Sequence, residues 1–285
     1  MKLSVFYDHI REAADQTNRS LEEICTLVKS YGINAVEMDA ASYESQEEMI
    51  KKLLDQAGLQ VSCMYGFFDF GHEDSVEVKD RQIRSFLSMA HRSGASRVLV
   101  IPGFLNEQEM DSASNEYQEC VQAMKAAVTT MCAYAKPLGI TVGMEDFDAL
   151  EAPFATTAQL LSFVQEITDL SCTFDTGNFL YSGEDAMEAY TACKPYIGYV
   201  HCKDRTFEVH AGETPKLTTD GRAMYAIPVG SGCIPMKDIV TDLLKSGYDD
   251  TFAIEHFGAV DQLAYMKQSA EWMLRLRTEV LEKKL

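Results

Sequence analysis

Alternation constrains this chain more than any other feature: short β-rich runs and longer amphipathic stretches follow one another from end to end. Strands are predicted at 3–7, 33–38, 59–65, 97–101, 140–145, 172–175, 197–201 and 251–255. Helices are predicted at about 20–32, 45–58, 76–93, 116–136, 157–167, 184–193, 236–246 and 261–280. The first of these shows the quality of the signal. Ser20 and Glu23 form a capping box, Leu21, Ile24, Cys25 and Val28 line one face, and Gly32 ends it. Ser45 and Glu48 open the second in the same way, and Gly58 closes it. Strict βα alternation implies parallel strands joined by right-handed crossovers, and eight units in 285 residues match a (β/α)8 TIM barrel. A doubly wound open sheet alternates likewise, but no G-x-G-x-x-G follows the first strand and eight units exceed its usual five or six.

Residues 1–285 therefore read as one barrel domain, with no linker or low-complexity tract. The one long connection, 202–235, carries Lys203-Asp204-Arg205 and then Gly212, Pro215 and Gly221. In a barrel it lies over the face where active sites are built, as a lid or interface loop. With 44 Asp and Glu against 25 Lys and Arg, the net charge of −19 disfavours nucleic acid as a partner, since phosphate backbones need clustered cations. The N-terminus reaches Asp8 too early for a signal-peptide core, and no apolar run approaches membrane-spanning length. A soluble, cytoplasmic protein is expected. Its eight scattered cysteines contain no C-x-x-C pair and read as reduced core residues.

The chemistry-bearing residues gather at the ends of the last four predicted strands: Glu145-Asp146, Asp175-Thr176-Gly177-Asn178, His201-Cys202-Lys203-Asp204 and Glu255-His256. Parallel barrel strands point their C-termini at one face, so Glu145, Asp175, His201 and Glu255 can converge although far apart in sequence. Acidic residues at strand ends also cap helices. Four such ends in consecutive strands, one of them a histidine, instead favour a metal site. Three carboxylates and one imidazole suit Mn²⁺ best, with Mg²⁺, Co²⁺ and catalytic Zn²⁺ as alternatives, and a cation relieves the repulsion of converging carboxylates.

These motifs, followed by Val229-Gly230-Ser231-Gly232, a Gly247-Tyr248 turn and Ile254-Glu255, resemble the sugar phosphate isomerase/epimerase family of xylose isomerase-like TIM barrels. The resemblance covers nearly the whole chain and is specific for the superfamily, not for the substrate. It implies that Glu145, Asp175, His201 and Glu255 are metal ligands and that Glu145 and Glu255 double as acid and base. In the implied mechanism a cation polarises a ketone and its neighbouring hydroxyl, one carboxylate removes the proton between or beside them, and an enediolate forms. Glu145 and Glu255 come from strands three steps apart, a placement suited to inversion. Many members carry His where this chain has Asn178, so a substrate-orienting imidazole is not assumed there.

Lys203 is a candidate catalytic cation for the developing oxyanion, or else the partner of Asp204 or another carboxylate. Gly230-Ser231-Gly232 reads as a tight turn or a phosphate cradle. Only Lys203 and Arg205 supply cations near the mouth, which favours an unphosphorylated sugar or polyol-derived substrate. Asn178, Arg205, His256, Phe67 and Phe147 are candidate substrate contacts, with His256 and His72 also candidates for proton transfer. Tyr7, Tyr65, Phe68, Phe70, Phe104 and Phe179 fall at strand ends too, as core or as stacking surface. The favoured function is a metal-dependent isomerase or epimerase. A lyase of the same superfamily, such as an inosose dehydratase or a C-glycoside deglycosidase subunit, is the alternative. A noncatalytic sugar-binding subunit ranks third and an endonuclease last. A homo-oligomer or a small second subunit is compatible with this reading of the chain, and a copurifying small second subunit would favour the deglycosidase.

Overall fold

A computed structural model describes residues 1–282. Eight parallel strands close into a barrel: β1 (Lys2–Phe6), β2 (Ala35–Asp39), β3 (Gln60–Phe67), β4 (Arg97–Ile101), β5 (Thr141–Met144), β6 (Leu170–Asp175), β7 (Ile197–Thr206) and β10 (Thr251–Glu255). Closure comes from β10, which pairs with β1 through Leu3 and Phe252 and with β7 through Val200 and Phe252. Around the barrel run α1 (Tyr7–Thr17), α2 (Leu21–Ser30), α3 (Ala40–Ala57), α4 (Val76–Ser93), α5 (Asn115–Ala135), α6 (Thr157–Glu166), α7 (Ala186–Cys193), α8 (Met236–Ser246) and α9 (Gln262–Glu282). The apolar faces of these helices pack on the outer faces of the strands in one continuous core. No helix among the described residues is long and apolar enough to cross a membrane.

Two departures from the predicted elements have local causes. Helix α1 begins directly at Tyr7, and its N-cap residue Phe6 provides no side-chain cap, so neither a turn nor a capping residue announces it. Helix α3 starts at Ala40, five residues before Ser45, because the Asp39 carboxylate accepts from the Ser42 amide. The Ser45–Glu48 signal instead coincides with a kink at Gln46, where φ is −142°. The Ser20–Glu23 capping box forms as predicted.

The 202–235 segment is more ordered than a loop. β7 runs on past the barrel to Thr206 and pairs antiparallel with β9 (Ala223–Ile227), which in turn pairs with β8 (Lys216–Leu217). The result is a ribbon rising beside the C-terminal mouth.

One irregularity decides what β7 presents. Cys172 pairs with Ile197 but Thr173 pairs with Tyr199, so β7 holds one extra residue, Gly198. A Cβ there would come within 2.8 Å of the Ser171 side chain, which only glycine avoids. Because side chains alternate along a strand, the bulge sets Tyr199, His201 and Lys203 level with Thr173 and Asp175 on the inner face.

Candidate active site at the barrel mouth

Neighbouring parallel strands put in-register residues side by side. Asp175 of β6 therefore stands beside His201 of β7, and Glu255 of β10 stands beside Lys203. Glu145 follows the last residue of β5. Glu145, Asp175, His201 and Glu255 each offer a ligand atom within 4.8 Å of the others, and all four side chains are buried. His201 Nδ1 lies 2.8 Å from Glu145 Oε2 and 3.4 Å from Glu255 Oε2. Asp175 Oδ1 accepts from the amides of Gly177 (2.7 Å) and Asn178 (2.8 Å), which fixes the carboxylate and leaves Oδ2 free of hydrogen bonds. Glu255 Oε2 also lacks a hydrogen-bond partner.

Buried oxygens without partners are costly unless a cation satisfies them. The donor set, three carboxylates and one imidazole, fits a divalent metal ion, and these four residues could hold one.

Lys203 is the cation that the protein itself supplies. Its ammonium contacts Glu255 Oε1, lies 3.2 Å from Asp175 Oδ2 and donates to Asn178 Oδ1 at 2.6 Å. Asn178 is held in turn by its Nδ2, which donates to the Asp146 carbonyl at 2.9 Å. Asp204 does not pair with Lys203. It faces the other side of β7, and its carboxylate accepts from the amides of Gly230, Gly232 and Ile234. The Gly230-Ser231-Gly232 segment is thus a turn already filled by a carboxylate, which leaves no phosphate cradle. A Cβ on Gly232 would lie 2.2 Å from Asp204 Oδ1.

These contacts set proton affinities. Burial raises that of Glu145, and the attraction of His201 only partly offsets it. Burial also dominates at Asp175, whose pKa is pushed up to about 7 against the pull of Lys203. At Glu255 burial is outweighed by Lys203 and His201, and the carboxyl sits below the usual range. Burial opposes charge on His201, but Glu145, Glu255 and Glu37 hold the imidazolium well above its ordinary pKa. Lys203, also buried, is kept protonated by Asp175 and Glu255.

Glu37 was invisible as a site residue in the sequence. Fully buried on β2, it lies beneath His201, with Oε2 at 3.7 Å from His201 Nε2. Its Oε1 accepts from Ser4 and Ser62, both at 2.8 Å, and from Tyr199. Three donors on one oxygen lock the carboxylate, and the other oxygen faces the imidazole from below. Strand alternation alone would have placed one glutamate among apolar residues without saying which face it took.

Above the cluster opens a cavity of about 440 Å³. Its wall is aromatic, with Phe6, Tyr65, Phe67, Phe147 and Phe257, and its polar groups include Asp8, Asp39, Asp148, Asn178, Lys203, Arg205 and Lys216. Phe67 stands edge-on to Phe147, with ring centroids 6.0 Å apart. Arg205 Nη2 is 3.4 Å from Asp148 Oδ2, and Lys216 from the ribbon is 2.7 Å from Asp148 Oδ1. Asn178, Arg205, Phe67 and Phe147 thus reach the cavity. His256 does not: it is fully buried, stacks on His9 at 4.6 Å, and its imidazole is held neutral by burial and by His9. His72 also lies off the cavity, bonded to Asp69 and Glu109. Asp8, Asp39, Asp148 and Lys216 were not singled out from sequence, because each sits in a run that reads equally well as an ordinary helix start or loop.

A closed parallel barrel with carboxylates and an imidazole at its C-terminal mouth defines a class of metal-competent barrels. The family model for the xylose isomerase-like TIM barrel matches residues 25–276, and the chain belongs to that family. Among curated relatives, an inosose dehydratase of Geobacillus kaustophilus (strain HTA426) is 28% identical over 276 residues, covering 90% of this chain and 87% of that one. Among solved structures, an L-ribulose 3-epimerase superposes with a TM-score of 0.73 at 16% identity, covering 100% of this chain and 97% of that one. A xylose isomerase-like TIM barrel protein from Mycobacterium smegmatis, in complex with magnesium, superposes with a TM-score of 0.68 at 17% identity, covering 91% and 89%.

Proposed function

We propose that this protein is a divalent-metal-dependent enzyme, with Mn²⁺ as the preferred ion, that removes a proton beside the carbonyl of an unphosphorylated polyhydroxylated ketone. The observation that carries the proposal is the convergence of Glu145, Asp175, His201 and Glu255 beneath an aromatic-walled cavity. A cation held there would polarise the carbonyl and lower the barrier to loss of the adjacent proton. The side chains do the rest. Glu145, with the higher proton affinity, is the proton acceptor. Glu255, held ionised by Lys203 and reaching the same cluster from the far side of β6 and β7, faces the substrate opposite Glu145. Lys203 steadies negative charge on the substrate oxygen, and Asn178 fixes the Lys203 ammonium. Phe67 and Phe147 cover the apolar face of the sugar and exclude water.

Charge in the cavity supports a neutral substrate. Arg205 and Lys216 both lean on Asp148 and Lys203 pairs with Glu255, so among the described residues the cavity's cations are set against its own carboxylates rather than gathered for a phosphate. Asp8 and Asp39 instead offer acceptors for hydroxyl groups.

Two glutamates on opposite sides favour return of a proton to the enediolate, on the opposite face of the carbon it left for epimerisation or on the neighbouring carbon for isomerisation. Dehydration is the second reading. The unequal proton affinities of Glu145 and Glu255 and the ammonium of Lys203, an acid available to a departing hydroxyl, favour it, as does the likeness to curated inosose dehydratases. Incubation of metal-replete protein in D₂O with free ketoses, inososes and 3-keto glycosides, followed by NMR, separates the two. One deuterium next to the carbonyl on an intact skeleton supports the isomerase. Release of water or an aglycone, with a new C=C or deoxy centre, supports the lyase. No exchange with any substrate of the panel would overturn both.

A further inference from the structure

Away from the mouth, His72, Glu109 and Cys120 also bring an imidazole nitrogen, a carboxylate oxygen and a thiol within 4.8 Å of one another. They come from three segments: the connection after β3, the connection after β4, and the first turns of α5. We propose that this cluster is a second metal site, selective for Zn²⁺, which ties the β3–α4 and β4–α5 connections together outside the catalytic cavity.

The side chains are already arranged as ligands with supporting groups. His72 Nδ1 sits 2.6 Å from Asp69 Oδ1, which fixes the ring and turns Nε2 toward Glu109 Oε2 at 2.9 Å and Cys120 Sγ at 4.0 Å. A carboxylate behind a histidine in this way is the usual support of a zinc-ligating imidazole. Glu109 Oε2 is itself held by the Asn106 amide at 2.8 Å, and the Asn106 side-chain amide reaches His72 Nε2 at 3.3 Å. Tetrahedral zinc, with bonds of about 2.0–2.3 Å, sets its ligand atoms roughly 3.3–3.7 Å apart, so the cluster needs movements of only about an ångström to take the ion. Glu109 and Cys120 are buried while His72 is partly exposed, which gives the ion a path and leaves room for water as the fourth ligand.

Gly71 supplies an independent sign that the close approach is built in. A Cβ there would fall 2.5 Å from Cys120 Sγ, yet the Gly71 backbone does not adopt a positive φ. Glycine is thus required for proximity to the thiol and not for the turn. An ion pair between His72 and its two carboxylates would explain Asp69 and Glu109 but leaves the thiol only as a weak hydrogen-bond neighbour. The mixed N, O and S set prefers Zn²⁺ or Co²⁺ over Mg²⁺ and Mn²⁺, the reverse of the oxygen-rich cluster in the barrel. On binding, Cys120 gives up its thiol proton to solvent and the imidazole coordinates in its neutral form.

Co²⁺ titration of the full chain carrying His201→Ala, which disables the thiolate-free cluster in the barrel, tests this directly. One equivalent of Co²⁺ should produce a thiolate-to-cobalt charge-transfer band and the intense visible bands of tetrahedral cobalt, and Zn²⁺ should abolish both. The band should vanish when His72→Ala or Cys120→Ser is added. Asp69→Asn, a change at an exposed side chain that folding tolerates, should weaken binding about 10–100-fold. Absence of the band overturns the proposal, as does a band that survives Cys120→Ser, which would assign it to the exposed Cys233. Unchanged affinity in Asp69→Asn would also overturn it.

Discussion

Glu37→Gln tests whether the floor of the barrel governs the chemistry above it. Gln keeps the size of the side chain and an oxygen that Ser4, Ser62 and Tyr199 can still serve, so the strand and its packing should persist. Only the group facing His201 Nε2 changes, from a carboxylate oxygen 3.7 Å away to an amide that can also present N–H. His201 Nδ1 is the nitrogen turned toward Glu145 and Glu255, so Nε2 carries the proton whenever Nδ1 takes a cation. Losing the negative charge below that proton makes the imidazole a poorer donor to the metal. Supporting groups of this kind are worth about 10–100-fold in metal affinity, or roughly 1.4–2.7 kcal/mol. In a chain of this size that loss removes roughly 3–10 °C of the metal-induced rise in Tm at a fixed excess of Mn²⁺. Calorimetric titration of EDTA-treated protein with Mn²⁺, together with melting curves, reads both quantities. Mn²⁺ affinity within about two-fold of the parent, in a variant with unchanged apo melting, would refute the reasoning, because a 100-fold effect could not hide in that window.

The remaining predictions concern the mouth and its scaffold. Mn²⁺ added to EDTA-treated protein should raise Tm by mass action, and His201→Ala should abolish the rise; a flat melting curve with no metal by elemental analysis would remove the site. Glu145→Gln and Glu255→Gln should each lower turnover by at least about 100-fold while changing substrate affinity far less, and near-normal turnover with full metal content would reduce that residue to a ligand. Gly232→Ala must push the Asp204 carboxylate out of its turn and should cost about 1–3 kcal/mol in urea unfolding, against a null result if the turn relaxes freely.

Much of this arrangement was legible in the chain. The four strand ends bearing Glu145, Asp175, His201 and Glu255 announced themselves because each closes an apolar run with a metal-competent side chain, and barrel topology does the converging. Helix α1 was hidden because it begins without a turn or a cap, and the hairpin after Thr206 because its strands are short and separated by polar residues. His256 was misleading for a reason local to its strand. It directly follows Glu255, and alternation sends the two to opposite faces, so His256 turns into the packing of His9 and α9. Glu37 was unreadable for a different reason: its role exists only through contacts with three other strands, β1, β3 and β7.

The extra residue in β7 makes the chemistry of the mouth a matter of parity. Ahead of Gly198 the strand follows one in-and-out rhythm, and after it the opposite one. A chain that kept every residue but paired without the bulge, with Gly198 opposite Thr173, would turn Val200 and Cys202 inward and send His201 and Lys203 out among the helices. The fold would keep every strand and lose its imidazole and ammonium together, with a thiol facing the carboxylates instead. For anyone aligning or redesigning such barrels, the pairing register at this point carries more functional meaning than any substitution nearby, since it decides which alternate set of side chains the substrate would meet.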